Sequence, residues 1–131
     1  MKNIALLITS IISGFSVLFI VVSYLEKPTS EFTNYEEMAA SGLIKSGWVP
    51  KYIPKSATNI KEQHDLDTNQ VNIYFNYVPN QKEDLLMECN KIISNGIGQK
   101  YICPPFEGQT SILVLRADGV GIYESYSDGL Y

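Results

Sequence analysis

The sequence has few of the residues on which catalytic and metal sites depend. It contains one His, two Cys and one Trp in 131 residues. Cys89 and Cys103 match no zinc-ligand spacing, and His64 lies far from both along the chain. The sequence also has no GxSxG motif and no glycine-rich phosphate loop. We therefore predict a protein that is not an enzyme and that has no cofactor and no metal site.

Positive charge is scarce as well. There are 10 Lys and Arg residues against 14 Asp and Glu, which gives a net charge of −4. A nucleic-acid binder needs a clustered basic face to neutralise phosphates, so the charge balance excludes nucleic acid as the general partner. Lysines 45, 51, 55 and 61 do lie in a stretch without acids. We interpret them as solvated side chains, the alternative being a face directed at anionic lipid headgroups.

The run from Ile4 to Leu25 carries no charge. About 20 such residues span a bilayer, so we predict a signal-anchor transmembrane helix over residues 1–25. A cleaved signal peptide is the alternative, although its apolar core is normally shorter, roughly 7–15 residues. Lys2 precedes the run, and the positive-inside rule then places the N-terminus in the cytoplasm. The predicted location is a bacterial inner membrane, crossed once, with the C-terminal domain outside the cytoplasm.

The remaining chain is long enough for one small domain with one core. We predict a linker over residues 26–32 and the domain over residues 33–131. Outside the cytoplasm, Cys89 and Cys103 can form a disulfide that closes a loop of about 15 residues, which stabilises by about 3 kcal/mol in the chain-entropy model. In the cytoplasm the same residues would be buried free thiols. We predict the disulfide.

Two helices are predicted in this domain. Thr33 and Glu36 fit a capping box at the start of the first, and Gly47 is suited to end it. Asn80 and Glu83 give a second capping signal, and spaced apolar residues extend that helix to about residue 94.

Four strands are predicted from alternation and turn residues. The acidic turn over residues 65–69 joins strands at 56–63 and 71–78 into a hairpin, and residues 117–119 join strands at 111–116 and 120–126. The order after the membrane helix is α-β-β-α-β-β. We therefore predict an α+β fold, a small antiparallel sheet with two amphipathic helices on one face.

The chain's rare residues gather between Gly47 and Asn69. We take five of them as a candidate contact surface: Trp48, Tyr52, His64, Asp65 and Asp67. His and carboxylates can bind metals or carry protons, but successive residues on a turn mostly diverge, which favours a solvated turn. Trp48 and Tyr52 could form an exposed aromatic platform, but aromatic residues beside prolines are more often core residues that pack over a sheet. An EF-hand is excluded, because Gln70 and Asn76 stand where that loop needs Gly and Glu.

The same segment resembles a known family. Its residues are Gly47-Trp48-Val49-Pro50, then Ile53-Pro54-x-Ser56-Ala57-x-x-Ile60, then His64-x-Leu66-Asp67-Thr68-Asn69. This pattern is similar to that of the YbbD head-domain family of small uncharacterised bacterial proteins, often membrane-anchored, although Asp65 replaces the usual Asn. The resemblance implies a shared fold and location. It also implies that Trp48, His64, Asp67 and Asn69 belong to one structural unit, and it brings no activity or ligand.

Three hypotheses for function follow. The first is a single-pass membrane protein that presents a small binding or interaction domain to an unidentified protein partner or ligand. The second is an acidic, immunity-type protein that neutralises a basic partner by charge complementarity. The third is a metal-assisted hydrolase that uses His64 and Asp67.

Overall fold

Seven antiparallel strands form one sheet in the chain as described by a computed structural model, which covers residues 2–80, 89–106 and 108–126. The helices are α1 (Lys2–Leu25), α2 (Tyr35–Ala40) and α3 (Leu43–Ser46). The strands are β1 (Thr29–Asn34), β2 (Thr58–Asp65), β3 (Gln70–Asn76), β4 (Asn90–Asn95), β5 (Gly98–Phe106), β6 (Gln109–Arg116) and β7 (Val120–Tyr126).

The strand order is β1-β2-β3-β7-β6-β5-β4. Two meanders of neighbouring strands, β1 to β3 and β4 to β7, therefore join where β3 pairs with β7. Asn72 lies opposite Glu124 in that pairing, and Phe75 lies opposite Gly121. Since β1 and β4 are the two ends of the order, they are the edge strands.

One face of the sheet carries the core. Alternate residues of β2, β3, β6 and β7 point to this face, as the two-residue period of a strand requires. The short helices and the extended segment after them cover it with Met38, Val49 and Ile53, all buried. Burial of such side chains stabilises by about 1.5–3 kcal/mol each relative to full exposure.

The two predicted hairpins are confirmed. β2 pairs with β3 around the acidic turn, and β6 pairs with β7 around residues 117–119. In the first turn the Asp65 Oδ1 atom accepts hydrogen bonds from the amides of Asp67 (3.0 Å) and Thr68 (3.2 Å). Asn69 adopts a φ of 57°, which Asn tolerates better than most residues.

The first predicted helix is present in two pieces. Gly42, at φ 87°, separates α2 from α3, and Gly47, at φ 89°, ends α3 as predicted. The N-cap is Asn34, one residue later than expected, and the return bond goes to the amide of the residue before it. Asn34 accepts a hydrogen bond from the Glu37 amide (2.9 Å), and the Glu37 carboxylate accepts one from the Thr33 amide (2.7 Å).

The predicted α+β fold is wrong, because the described part of the chain after α1 is mainly a seven-stranded sheet, and the helices on its core face, α2 and α3, are short. β1 begins inside the predicted linker, at Thr29, and extends beyond it to Asn34. Its sequence, TSEFTN, has too few apolar residues to show alternation, but its backbone pairs with β2 from Thr29 opposite Gln63 to Asn34 opposite Thr58.

The second predicted helix is wrong over its last part. Residues 81–88 lie outside the described residues, but Asn90–Asn95 form β4, paired with β5. The adjacent Ile92 and Ile93 fit either a helix stripe or a strand, and pairing with β5 decides between them. β5 also includes Pro104 and Pro105, where the register with β6 shifts between Cys103 and Phe106.

The predicted transmembrane span is also corrected. Within the part of the chain that the structure describes, no helix has both the length and the apolarity needed to cross a membrane. A span needs about 20 predominantly apolar residues. The signal-anchor helix, the single-pass topology and the inner-membrane location predicted from residues 1–25 are therefore not upheld.

The predicted disulfide is confirmed. Cys89, just before β4, is bonded to Cys103 on β5, with their Cα atoms 4.1 Å apart. Both residues are buried at the outer end of the sheet. Disulfides form and persist in oxidising compartments.

Candidate functional site

Trp48 and His64 form a stacked pair at one end of the core face. Their ring centroids are 4.2 Å apart, with 27° between the ring planes. His64 comes from β2 and points to the core face. Trp48 is positioned by the end of α3, where the Gly47 amide donates to the Ile44 carbonyl (3.3 Å) and the Trp48 amide to the Leu43 carbonyl (2.9 Å). These two bonds form a Schellman motif, which fixes the path of the chain into Trp48.

Glu62 contacts a ring nitrogen of His64, while Trp48 covers a ring face. The Nδ1 atom of His64 lies 2.6 Å from the Oε1 atom of Glu62, and the two residues are 8% and 0% exposed. Burial raises the pKa of the Glu62 carboxyl above its ordinary value of 4.5, and the bond with His64, the charge of His64 and the Ser30 hydroxyl oppose that rise. The second carboxyl oxygen, Oε2, is buried and has no hydrogen-bond partner among the described residues.

This arrangement orients a ring more readily than it activates a nucleophile. The Nδ1 atom is committed to Glu62, and one ring face is committed to Trp48. Two buried groups joined by a hydrogen bond favour a fixed geometry, because separating them leaves polar groups without a partner. Nor do the described residues include any group of three or more His, Cys, Asp or Glu side chains that could hold a metal ion.

The two aspartates of the candidate surface differ in their surroundings. Asp65 forms a salt bridge with Lys27 at 3.1 Å, and its side chain is 18% exposed. The hydrogen bond with Lys27 lowers the pKa of the Asp65 carboxyl, with smaller lowering from the amides of Thr68 and Asp67. Asp67 is exposed in the turn itself. Asp65 therefore has a local structural role, whereas Asp67 presents its carboxylate to solvent.

Tyr52 belongs to the core cover rather than to the stacked pair. Its partly buried ring packs against the hydrophobic core. The phenol of Tyr123 is buried, which raises its pKa to about 12, with a smaller contribution from Tyr52 nearby. The Tyr123 hydroxyl lies 2.8 Å from the Ser111 hydroxyl.

Gln109 fastens the acidic turn to the second meander. Its Nε2 atom donates to the Thr68 carbonyl at 2.7 Å, and the residue is buried at the start of β6. The neighbouring strand makes a similar contact, because the Val71 amide donates to the Ser125 hydroxyl at 2.7 Å. The turn is thus tied to β6, and the start of β3 that follows it is tied to β7.

Of the five predicted contact residues, the structure stacks Trp48 on His64 and places Asp65 next in the same strand. Tyr52 lies against the core, and Asp67 stands in the turn. Sequence analysis missed Glu62. A signal was available: Glu62 precedes His64 by two residues in a strand, so the two side chains share a face. Gln109 had no comparable signal, since its role depends on a long-range contact with the turn.

The fold and this site define a small antiparallel domain. The stacked pair of Trp48 and His64 lies at one end of its first meander. That part of the chain is similar to a known family: the profile of the YbbD head domain matches residues 26–76. The match confirms the resemblance seen in the sequence. It runs from the end of α1 through β3, and β4 to β7 lie outside it. Neither curated proteins nor solved structures show a significant match to the chain.

Proposed function

We propose that this chain is a binding or interaction module without catalytic activity, and that its contact surface is the end of the sheet formed by Trp48 and the turn over residues 65–69. The main support is that the partly exposed Trp48 stacks on His64, and that the Nδ1 atom of His64 contacts the buried Glu62 carboxylate. A fixed aromatic ring at a surface offers contact area at little cost in conformational entropy.

The charge around this surface favours a basic partner. Asp67 is exposed in the turn that follows the strand of His64, and the whole chain carries a net charge of −4. An indole face also attracts Lys and Arg side chains, by about 0.5–1 kcal/mol at exposed sites. A partner surface that carries Arg or Lys side chains would contact the Asp67 carboxylate and the Trp48 ring. Its affinity would fall as the salt concentration rises.

The hydrolase hypothesis has less support. His64 is buried between Trp48 and Glu62, whereas Asp67 is exposed in the turn. A metal-assisted site needs ligands that converge on one point. The immunity-type hypothesis also has a basic partner, and it differs from our proposal in requiring that binding neutralise that partner.

Site-specific photo-crosslinking in the producing cells tests the proposal. A benzophenone amino acid at Asp67 should give a discrete adduct with a second protein. The matched control is the same amino acid at Ala117, which is exposed in the β6–β7 turn. Trp48→Ala should reduce the Asp67 adduct several-fold, because the aromatic contact is lost.

The proposal would be overturned by adducts of equal yield at both turns, or by an Asp67 adduct that Trp48→Ala leaves unchanged. Once the crosslinked protein is identified, its affinity can be measured at two salt concentrations. An affinity that falls with salt supports a basic partner, and an affinity independent of salt contradicts it.

A further inference from the structure

The face of the sheet opposite the core is divided into a polar and an apolar half. On β1, β2 and β3 this open face carries mainly polar residues: Glu31, Lys61, Gln63, Asn72 and Asn76. On β7, β6 and β5 it carries an apolar quartet: Ile122, Val114, Ile112 and Ile102. Ile102 is 41% exposed, and Tyr74 beside the quartet is 48% exposed. Apolar patches of this kind mark interaction surfaces.

The strand register places two opposite charges at the sides of this quartet. One row across the face runs Tyr74, Ile122, Val114, Lys100. The next row runs Asn72, Glu124, Ile112, Ile102. Lys100 on β5 and Glu124 on β7 therefore stand diagonally opposite each other, with β6 between them.

We propose that the apolar half of the open face is an interface with a second copy of this chain. Strands lie about 4.8 Å apart and alternate residues about 6.8 Å apart along a strand. We place a twofold axis in the plane of the interface, oblique to the strands and passing over β6. On that grid, rotation about this axis brings Lys100 of each copy over Glu124 of the other. The quartet then packs on its own counterpart, with Ile102 near the axis.

The same rotation makes a second complementary contact. It places Tyr74 of one copy over Arg116 of the other, on the row beyond Val114. An Arg over a Tyr ring is a favourable cation–π pair. Arg116 is also held by Asp118, 2.6 Å away in the β6–β7 turn of its own copy, and Glu124 accepts a hydrogen bond from the Tyr126 hydroxyl. Arg116 and Glu124 are thus held in place before association.

This self-complementarity is why the second copy is the occupant rather than an unrelated protein. A C2 interface requires that one patch match itself, residue for residue. The strands of the two copies would cross steeply, as in orthogonal sheet packing. The patch covers about 500 Å² per copy on the same grid, near the lower limit for a specific interface, so the dimer should be weak.

Photo-crosslinking of the full chain in the producing cells tests the dimer. A benzophenone amino acid at Ile102 should crosslink the chain to itself and give a product of twice 14.7 kDa. The control position is Gln63 on the polar half of the same face, which should give no such product. Two copies could also associate through the exposed apolar side chains of α1. Association of that kind would give similar products from Ile102 and Gln63, so the comparison of the two positions separates it from the proposed interface.

Charge reversal adds a test of the geometry. Lys100→Glu should reduce the Ile102 product several-fold, and the double variant Lys100→Glu with Glu124→Lys should restore it. Restoration also shows that the variant chains are folded. Equal products from Ile102 and Gln63, a failure of the double variant to restore the product, or a product of another mass would each overturn the proposal.

Discussion

Glu62 is a fully buried carboxyl on the core face of β2. It is 0% exposed, its Oε1 atom lies 2.6 Å from the Nδ1 atom of His64, and burial raises its pKa above 4.5. In the unfolded chain this carboxyl ionises near the ordinary value. Between these two values the folded protein binds more protons than the unfolded chain, so the free energy of unfolding falls as pH rises through this window.

Glu62→Gln should remove this dependence. The amide is neutral throughout and can still accept a hydrogen bond from His64, so the free energy of unfolding should fall less between pH 4.5 and the raised pKa than it does in the unaltered chain. Urea unfolding at a series of pH values measures the slope. Glu36→Gln, at an exposed carboxylate, is the control. A slope that Glu62→Gln leaves unchanged would show that another group causes it.

The sequence predicted part of the site. The acidic turn followed from the local chemistry of Asp65 and Asn69, and rare residue types drew attention to Trp48 and His64. The stack itself did not follow, because Trp48 reaches His64 only through the bend at Gly47 and the pairing of β2. Contacts between distant segments leave little trace in a single sequence.

At the scale of elements, the sequence predicted strands well where alternation was clear. β3 alternates apolar and polar residues, and it was found. β7 was found as the return strand of the hairpin around residues 117–119, although it does not alternate in this way. β1, β4 and β5 were missed. β1 and β4 are edge strands, which bury less apolar surface, so pairing rather than pattern decides their structure. β5 carries Pro104 and Pro105, which argue against a strand in the sequence. Local capping signals did place the start and end of the first helical region to within a residue.

The β4–β5 hairpin offers a test of close backbone packing. A Cβ atom added at Gly98 would lie 2.6 Å from the Leu115 carbonyl oxygen, a backbone atom that cannot rotate away. Gly98→Ala should therefore destabilise by about 1–3 kcal/mol. Gly96→Ala in the same hairpin meets nothing within 4 Å and should be neutral or stabilise by less than about 1 kcal/mol. Chemical denaturation of both variants measures the difference; equal effects would contradict the close approach.

At the scale of the whole molecule, the two edges of the sheet are secured by different means. On β1, Lys61 pairs with Glu31 across the strands at 3.1 Å, an exposed pair that contributes little. At the β4 edge the disulfide from Cys89 to Cys103 closes a short loop. A covalent link acts chiefly by restricting the unfolded chain.

Reduction should therefore lower the free energy of unfolding by about 3 kcal/mol. The double variant Cys89→Ala with Cys103→Ala should match the reduced chain, because both lack the link. Denaturation with and without reductant measures this difference, and the double variant should not respond to reductant. Equal stability of the oxidised and reduced chains would contradict the expected role of the bond.

The junction between α1 and the sheet has a mechanical consequence. The residues that follow α1 do not simply lead into β1; they bond to the end of β2. The Leu66 amide donates to the Glu26 carbonyl (2.9 Å), the His64 amide to the Pro28 carbonyl (3.3 Å), and Lys27 holds Asp65. A load applied along α1 would reach these bonds before any other part of the sheet. Tension on the helix would therefore be transmitted to His64, on which Trp48 stacks.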